Sequence, residues 1–272
     1  MNLPLFWIDA FANRIFAGNP AAVVPLDQWP EDRLLAAIAA ENGLSETAFF
    51  VRRSPTSAHL RWFTPAVEVD LCGHATLAAA WVLFHELGAP GDALEFQSRS
   101  GPLIVRRSAD RLELDFPAAP AHPCESDPGL ASALGAAPRI FMKNARSWLC
   151  VYESAAEVAA LRPDPAALGS VRPGRIIVTA PGTGCDFVSR FFAPDAGIAE
   201  DPVTGSAHCT LVPYWSARLG RKALHARQVS ARGGELWCVD GGERIRIAGC
   251  AVLYLRGSLE IDPSFAAVTS PS

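Results

Sequence analysis

Lysine is nearly missing from this chain: of the 24 lysines and arginines in 272 residues, Lys143 and Lys222 are the two lysines, so Schiff-base chemistry has few candidates. The arginines are scattered and the net charge is −4, which argues against a nucleic-acid surface. No long hydrophobic run exists. Ala75–Phe84, broken only by Thr76, is far short of the roughly 20 apolar residues that span a bilayer. The seven cysteines are odd in number and contain no C-x-x-C, a pattern of reduced thiols rather than a disulfide framework. The first residues, MNLPLFWIDAF, lack a basic n-region and an extended apolar h-region, so no signal peptide is expected. The expectation is a soluble, cytoplasmic protein without nucleic-acid or membrane partners.

What is present is core-forming sequence: half of the residues are hydrophobic, enough for one large domain or two ordinary ones. RLLAAIAAENG has helical spacing and a stop signal at Asn42-Gly43. TAFFVRR, HLRWFTP, LIVRR and RLELDF alternate or run short and apolar, as strands do. ELWCVDGGERIRIAG reads as a hairpin turning at Gly241-Gly242. The pattern is mixed α+β.

The chain also repeats itself once. Arg61-Trp62-Phe63-Thr64-Pro65 falls on Arg190-Phe191-Phe192-Ala193-Pro194 at an offset of 129. Beyond three extra residues the offset is 132, laying Glu68 on Glu200, Gly73 on Gly205, His74 on Ser206 and Gly88 on Gly220. Each copy is a strand, a glycine turn and the longest apolar helix of its half. Two copies are too few for a solenoid, so a duplicated domain with pseudo-twofold symmetry is expected. The proline-rich segment 116–138 marks the boundary. The division is residues 1–117, residues 118–262 and a tail at 263–272.

If the halves face each other, the two helix N-termini converge on one cleft, where unpaired N–H groups and helix dipoles would hold a carboxylate. His74 and Ser206 would enter it from opposite walls. The plainer alternative remains open: Ser206 as an N-cap, Asp201 as a turn acid and His74 as a capping or core histidine. Cys72-Gly73-His74 and His208-Cys209 have no recognised metal-ligand spacing, and no metal is expected.

DAFANRIFAGNPAAVV (9–24), GLSETAFF (43–50), RWFTPAVEVDLCGHATLAAA (61–80) and EDPVTGSAHCTLVPYW (200–215), followed by LGRKALHARQVSARGGEL, resemble the PhzF family of phenazine-biosynthesis-like proteins, in order and over nearly the whole chain. The resemblance implies a diaminopimelate-epimerase-like α+β fold of two pseudo-symmetric halves, each a β-sheet rolled around a central α-helix. It also implies a homodimer and a cofactor-independent isomerisation that moves a proton on a small carboxylate-bearing metabolite. By the same resemblance Glu46 is the acid/base. His74, Asp201 and Ser206, with Gly73 and Gly205 of the turns and Asn19 of the GNP motif, contact the substrate. More distant relatives of this fold use two cysteines, one before each glycine turn. Here the first is Cys72, and Pro202 is read as standing at the second place, which excludes a two-thiol mechanism and makes Cys72 a pocket-wall residue.

Glu46 follows a helix stop and enters an apolar strand. Partial desolvation there would raise its pKa, as suits a group that takes and returns a proton. Two alternatives stand beside this reading: a small-carboxylate binding protein without turnover, and a one-thiol racemase or epimerase using Cys72 with Glu46.

Overall fold

The computed structural model describes residues 1–262, and the tail at 263–272 lies outside them. In chain order the first elements are β1 (Asn2–Ala10), β2 (Asn19–Leu26), α1 (Asp32–Asn42), β3 (Glu46–Ser54), β4 (Ser57–Phe63), β5 (Glu68–Val69), α2 (Gly73–His85), β6 (Ala93–Ser98), β7 (Gly101–Ser108) and β8 (Arg111–Pro117). They continue with β9 (His122–Pro123), α3 (Pro128–Leu134), β10 (Ile140–Lys143), β11 (Ser147–Val151), α4 (Ala155–Ala160), α5 (Pro165–Leu168), β12 (Arg175–Pro181) and β13 (Phe187–Ala193). The last are β14 (Ile198–Asp201), α6 (Gly205–Leu219), β15 (Ala223–Gln228), β16 (Gly234–Asp240), β17 (Arg244–Gly249) and β18 (Ala251–Glu260). Strands dominate, as the α+β reading expects. No helix is long and apolar enough to cross a membrane.

Two compact units emerge. Of the described residues, the first holds 1–16, 20–114 and 250–262, and the second holds 17–19 and 115–249. This differs from the expected division at 117/118 with residues up to 262 in the second half. β18 belongs to the first unit because it pairs antiparallel with β1 along almost its full length, Asn2 opposite Glu260 and Ala10 opposite Ala251. The proline-rich segment is not a bare linker: α3 lies in it, with Asp127 accepting a hydrogen bond from the Leu130 N–H and Gly135 closing the helix at φ 84°. Leu130, Ala133 and Leu134 of α3 are core residues of the second unit.

Each unit repeats the same ladder. In the first, β2 and β3 pair parallel across α1, β3 and β4 antiparallel, and β4 and β6 parallel across α2. In the second, β11 and β12 pair parallel across α4 and α5, β12 and β13 antiparallel, and β13 and β15 parallel across α6. A parallel pair needs a crossover, which α2 and α6 provide. The matching antiparallel pairs β6–β7 and β15–β16 follow. The hairpin read at Gly241-Gly242 is β16–β17, closed by the Gly241 N–H donating to the Arg244 carbonyl at 2.9 Å. Gly242 sits there at φ +85°, where a side chain would be strained.

The two central helices are apolar for a reason visible in their burial. Ten residues of α2, from His74 to Phe84, are buried, and the helix packs on β1, β3 and β18 of its own unit. A helix apolar on all sides is one that strands surround. α6 packs likewise on β15, β16 and β17 and ends at Gly220 in the left-handed region. Fully burying a leucine such as Leu77 contributes roughly 1.5–3 kcal/mol. An arginine–glutamate clamp is duplicated too. The Arg61 guanidinium grips both carboxylate oxygens of Glu68 at 2.7 Å, and Arg190 grips those of Glu200 at 2.7 and 2.8 Å. Each arginine also lies 5.1 Å over the ring two residues on, Phe63 or Phe192. The clamps tie the short strands β5 and β14, which run into the glycine turns, to β4 and β13.

Candidate active site

Each central helix opens in the same way. The N-caps are Cys72 in α2 and Thr204 in α6, both extended and neither capping through its side chain. The offset of 132 therefore lays Cys72 on Thr204, not on Pro202 as the sequence reading placed it. The physical reason is that the equivalent point is the residue before the first helical glycine. The second place still carries no thiol. Ser206 is in the first turn of α6, exposed and one residue inside the helix, so it is not the N-cap that the plainer alternative made it. One turn further, Thr76 Oγ1 donates to the Cys72 carbonyl at 2.5 Å, and at the equivalent position His208 Nδ1 meets the Thr204 carbonyl at 2.9 Å. These bonds hold the first turns without using their leading N–H groups.

In the first unit the structure brings Glu46, Cys72 and His74 together. Glu46 is the first residue of β3, opposite Ala21 of β2, directly after the helix stop at Gly43, whose φ is 63°. His74 Nε2 lies 3.3 Å from Glu46 Oε2, and its Nδ1 lies 3.5 Å from Cys72 Sγ. Burial drives the His74 pKa down to about 3, so the ring is neutral and its approach to Glu46 is a polar contact rather than an ion pair. In the tautomer protonated at Nε2, that nitrogen faces the Glu46 carboxylate and Nδ1 accepts from the Cys72 thiol. His74 thereby lies directly against the Glu46 carboxyl group. Gly73 is the first residue of α2 and separates Cys72 from His74.

In the second unit Asp201 and Asn19 meet, although 182 residues separate them. Asn19 Nδ2 donates to Asp201 Oδ1 at 2.8 Å and to the Val203 carbonyl at 2.9 Å. Thr204 Oγ1 donates to the other Asp201 oxygen. Burial pushes the Asp201 pKa up to about 6, the Thr204 and Asn19 hydrogen bonds opposing it. Both carboxylate oxygens are thus engaged by the protein. Ser206 and Gly205 follow at the start of α6, with Gly205 buried.

Two residues of this turn escaped the sequence reading. Gln228, buried at the end of β15, accepts from the Thr204 N–H through Oε1 at 2.9 Å and donates through Nε2 to the Asp201 carbonyl at 2.8 Å and to Thr204 Oγ1 at 3.2 Å. Nothing in HARQVSAR distinguishes it, because its role depends on β15 lying beside the turn. Thr204 was within reach: it is the residue that the offset of 132 sets against Cys72. His208 is wholly buried, with its pKa pulled down to about 4 by burial against the opposing Thr204 carbonyl, and its Nδ1 is engaged within α6.

The family description that matches the chain is "Phenazine biosynthesis-like protein" (PhzC-PhzF), over residues 8–257. An uncharacterised isomerase of Pseudomonas aeruginosa is 52% identical over 261 residues, 96% of this chain and 100% of that protein. The crystal structure of a PhzF-family phenazine biosynthesis protein from Enterococcus faecalis superposes with a TM-score of 0.93 at 44% identity, covering 96% of this chain and 100% of that one. A hydroxyproline epimerase from Agrobacterium vitis shares the fold alone, with a TM-score of 0.62 at 10% identity over 99% of this chain and 96% of its own. With the repeated ladder, the paired helix starts and these likenesses in hand, the chain belongs to the phenazine biosynthesis-like PhzC-PhzF family and is an isomerase of the PhzF type.

Proposed function

We propose that Glu46 is the acid/base of a cofactor-independent proton shift on a small carboxylate-bearing metabolite. The observation that carries this reading is the 3.3 Å contact between Glu46 Oε2 and a buried, neutral His74 at the opening turn of α2. A ring nitrogen packed against one carboxyl oxygen limits the orientations of the group. A neutral imidazole does so without the cationic charge that would weaken the base. The carboxylate removes a proton from an activated C–H and returns it to another atom of the same molecule, so one base suffices. The charge that develops meanwhile is met by the uncapped N–H groups and dipole of the α2 start, beside His74. Ser206, in the duplicated turn at the start of α6, is read as a further substrate contact on the strength of the family resemblance. Asn19 and Asp201 shape that turn through Val203 and Thr204. The protein acts in this reading as a cytoplasmic homodimer.

The test is a screen of small amino and hydroxy carboxylates in deuterated water, read by NMR for solvent exchange. Ligands that bind without exchange would turn the reading into that of a binding protein. A second enzymatic reading rests on the 3.5 Å contact between Cys72 Sγ and His74 Nδ1, which is the geometry for activating a single thiol. Its signature is stoichiometric inactivation by a thiol reagent at Cys72, together with loss of turnover in both Cys72→Ala and Cys72→Ser.

A further inference from the structure

Glu46, Cys72 and His74 each offer a donor atom within 4.8 Å of the others, the one such group of three among the described residues. We propose that they form a three-ligand site for a thiophilic divalent cation, Zn2+ being the type, and that the ion blocks the isomerase by capturing its base. The blocking half of this proposal rests on the role given to Glu46 above. The cation half rests on donor chemistry alone.

Three features favour the ion. First, the set combines one sulfur, one imidazole nitrogen and one carboxylate oxygen, which suits Zn2+ and excludes Mg2+ and Ca2+, whose preference is for oxygen. Second, it carries two potential anions, a thiolate and a carboxylate, beside one imidazole. A dication bound there leaves no net charge in a site whose Cys72 and His74 are buried. Third, three protein ligands leave a fourth position for water or a substrate carboxylate, the open arrangement of catalytic rather than structural zinc.

The spacing needs adjustment, and the chain can supply it. Tetrahedral bonds of about 2.0–2.3 Å put donors roughly 3.5 Å apart. The Cys72 Sγ–His74 Nδ1 contact, at 3.5 Å, is already at that separation, whereas Glu46 Oε2 lies 3.3 Å from the other ring nitrogen, Nε2, with one donor atom from each residue within 4.8 Å of the others. The remaining closure falls mainly to Glu46, whose long side chain leaves the end of β3. Binding is a ligand exchange that balances without a redox partner: the thiol S–H bond breaks, the sulfur–metal bond forms and the proton leaves to water. Affinity therefore rises with pH.

The experiment is a Co2+ titration of the full chain, followed by the near-ultraviolet sulfur-to-cobalt absorption and reversed with Zn2+. One saturable equivalent is expected. Cys72→Ser should abolish the band, and His74→Ala should weaken binding at least tenfold in a chain shown to be folded by circular dichroism. Cys250→Ser, which removes a partly exposed thiol elsewhere, should leave the titration unchanged. No saturable band, or a band that survives Cys72→Ser, overturns the site. Because the spectrum needs no substrate, that failure leaves Glu46 catalysis to the solvent-exchange assay. Full turnover at saturating Zn2+ overturns the blocking step, whereas turnover by Glu46→Gln without metal sinks the acid/base reading itself.

Discussion

Gln228 offers the sharpest test of how the second turn is built. Its side chain satisfies the buried Thr204 N–H and the Asp201 carbonyl and supports Thr204 Oγ1. Gln228→Leu keeps the volume close but leaves two buried backbone groups without partners, each costing about 1–3 kcal/mol, so a loss of about 2–6 kcal/mol is expected. Gln228→Glu is more telling. The introduced carboxylate can still accept from Thr204, but it turns an oxygen toward the Asp201 carbonyl where an N–H had donated. That repulsion favours the protonated form, raising its folded pKa above the unfolded value, so the folded variant binds the extra proton. The penalty should be largest at neutral pH and shrink as the solution is acidified. Urea denaturation of the three proteins at pH 8 and pH 5, with unchanged m-values, reads both effects. A Gln228→Leu penalty below about 0.5 kcal/mol, the level of ordinary surface changes, or a Gln228→Glu penalty independent of pH, would refute this account of the turn.

Other outcomes follow from the same geometry. His74 and His208 have folded pKa values of about 3 and 4, below the unfolded 6.5, so the unfolded chain takes up protons first and stability falls as pH drops below 6.5. Each contributes about 1.4 kcal/mol per pH unit in that window. Asp201, raised to about 6 from 3.8, acts in the opposite sense between those values and returns part of the loss. His208→Leu should flatten the acid limb by one proton's slope in urea melts; an unchanged slope would contradict its buried neutral state. Ser206→Ala should shift stability by less than about 0.5 kcal/mol, because the residue is exposed and caps nothing, while Thr204→Ala should cost about 1–3 kcal/mol in the same melts. Cys72→Ser should keep turnover within about tenfold, roughly 1.4 kcal/mol of barrier. A larger loss favours the one-thiol reading.

Local signals in the sequence were faithful where one element decides the outcome. The stop at Asn42-Gly43, the alternation of TAFFVRR and the Gly-Gly hairpin each rest on backbone chemistry confined to a few residues, and each element forms where it was read. The repeat was legible because duplication preserved a strand, a clamp and a helix start in register, with α2 and α6 beginning at the paired glycines Gly73 and Gly205. What stayed hidden depends on distant pairing. β18 joins the first unit because it finds β1, which no local pattern announces. Gln228 matters because β15 runs beside the turn that carries Thr204. α3 was masked by its prolines, although Asp127 before Pro128 and Gly135 after Leu134 are ordinary start and stop signals. At the candidate site, motif resemblance supplied Glu46 and His74, but the Cys72 contact and the engagement of both Asp201 oxygens required coordinates.

The most direct measurement is solvent deuterium incorporation by wild-type protein and by Glu46→Gln, run side by side on the first carboxylate found to exchange. The amide is nearly isosteric with the carboxyl group and can still pack against His74 Nε2, so the fold and ligand affinity should survive, but it cannot cycle a proton at neutral pH. The account predicts that incorporation and isomerisation fall together to background in Glu46→Gln while the urea midpoint stays near that of the wild type. Exchange persisting at a substantial fraction of the wild-type rate in that folded variant would contradict it.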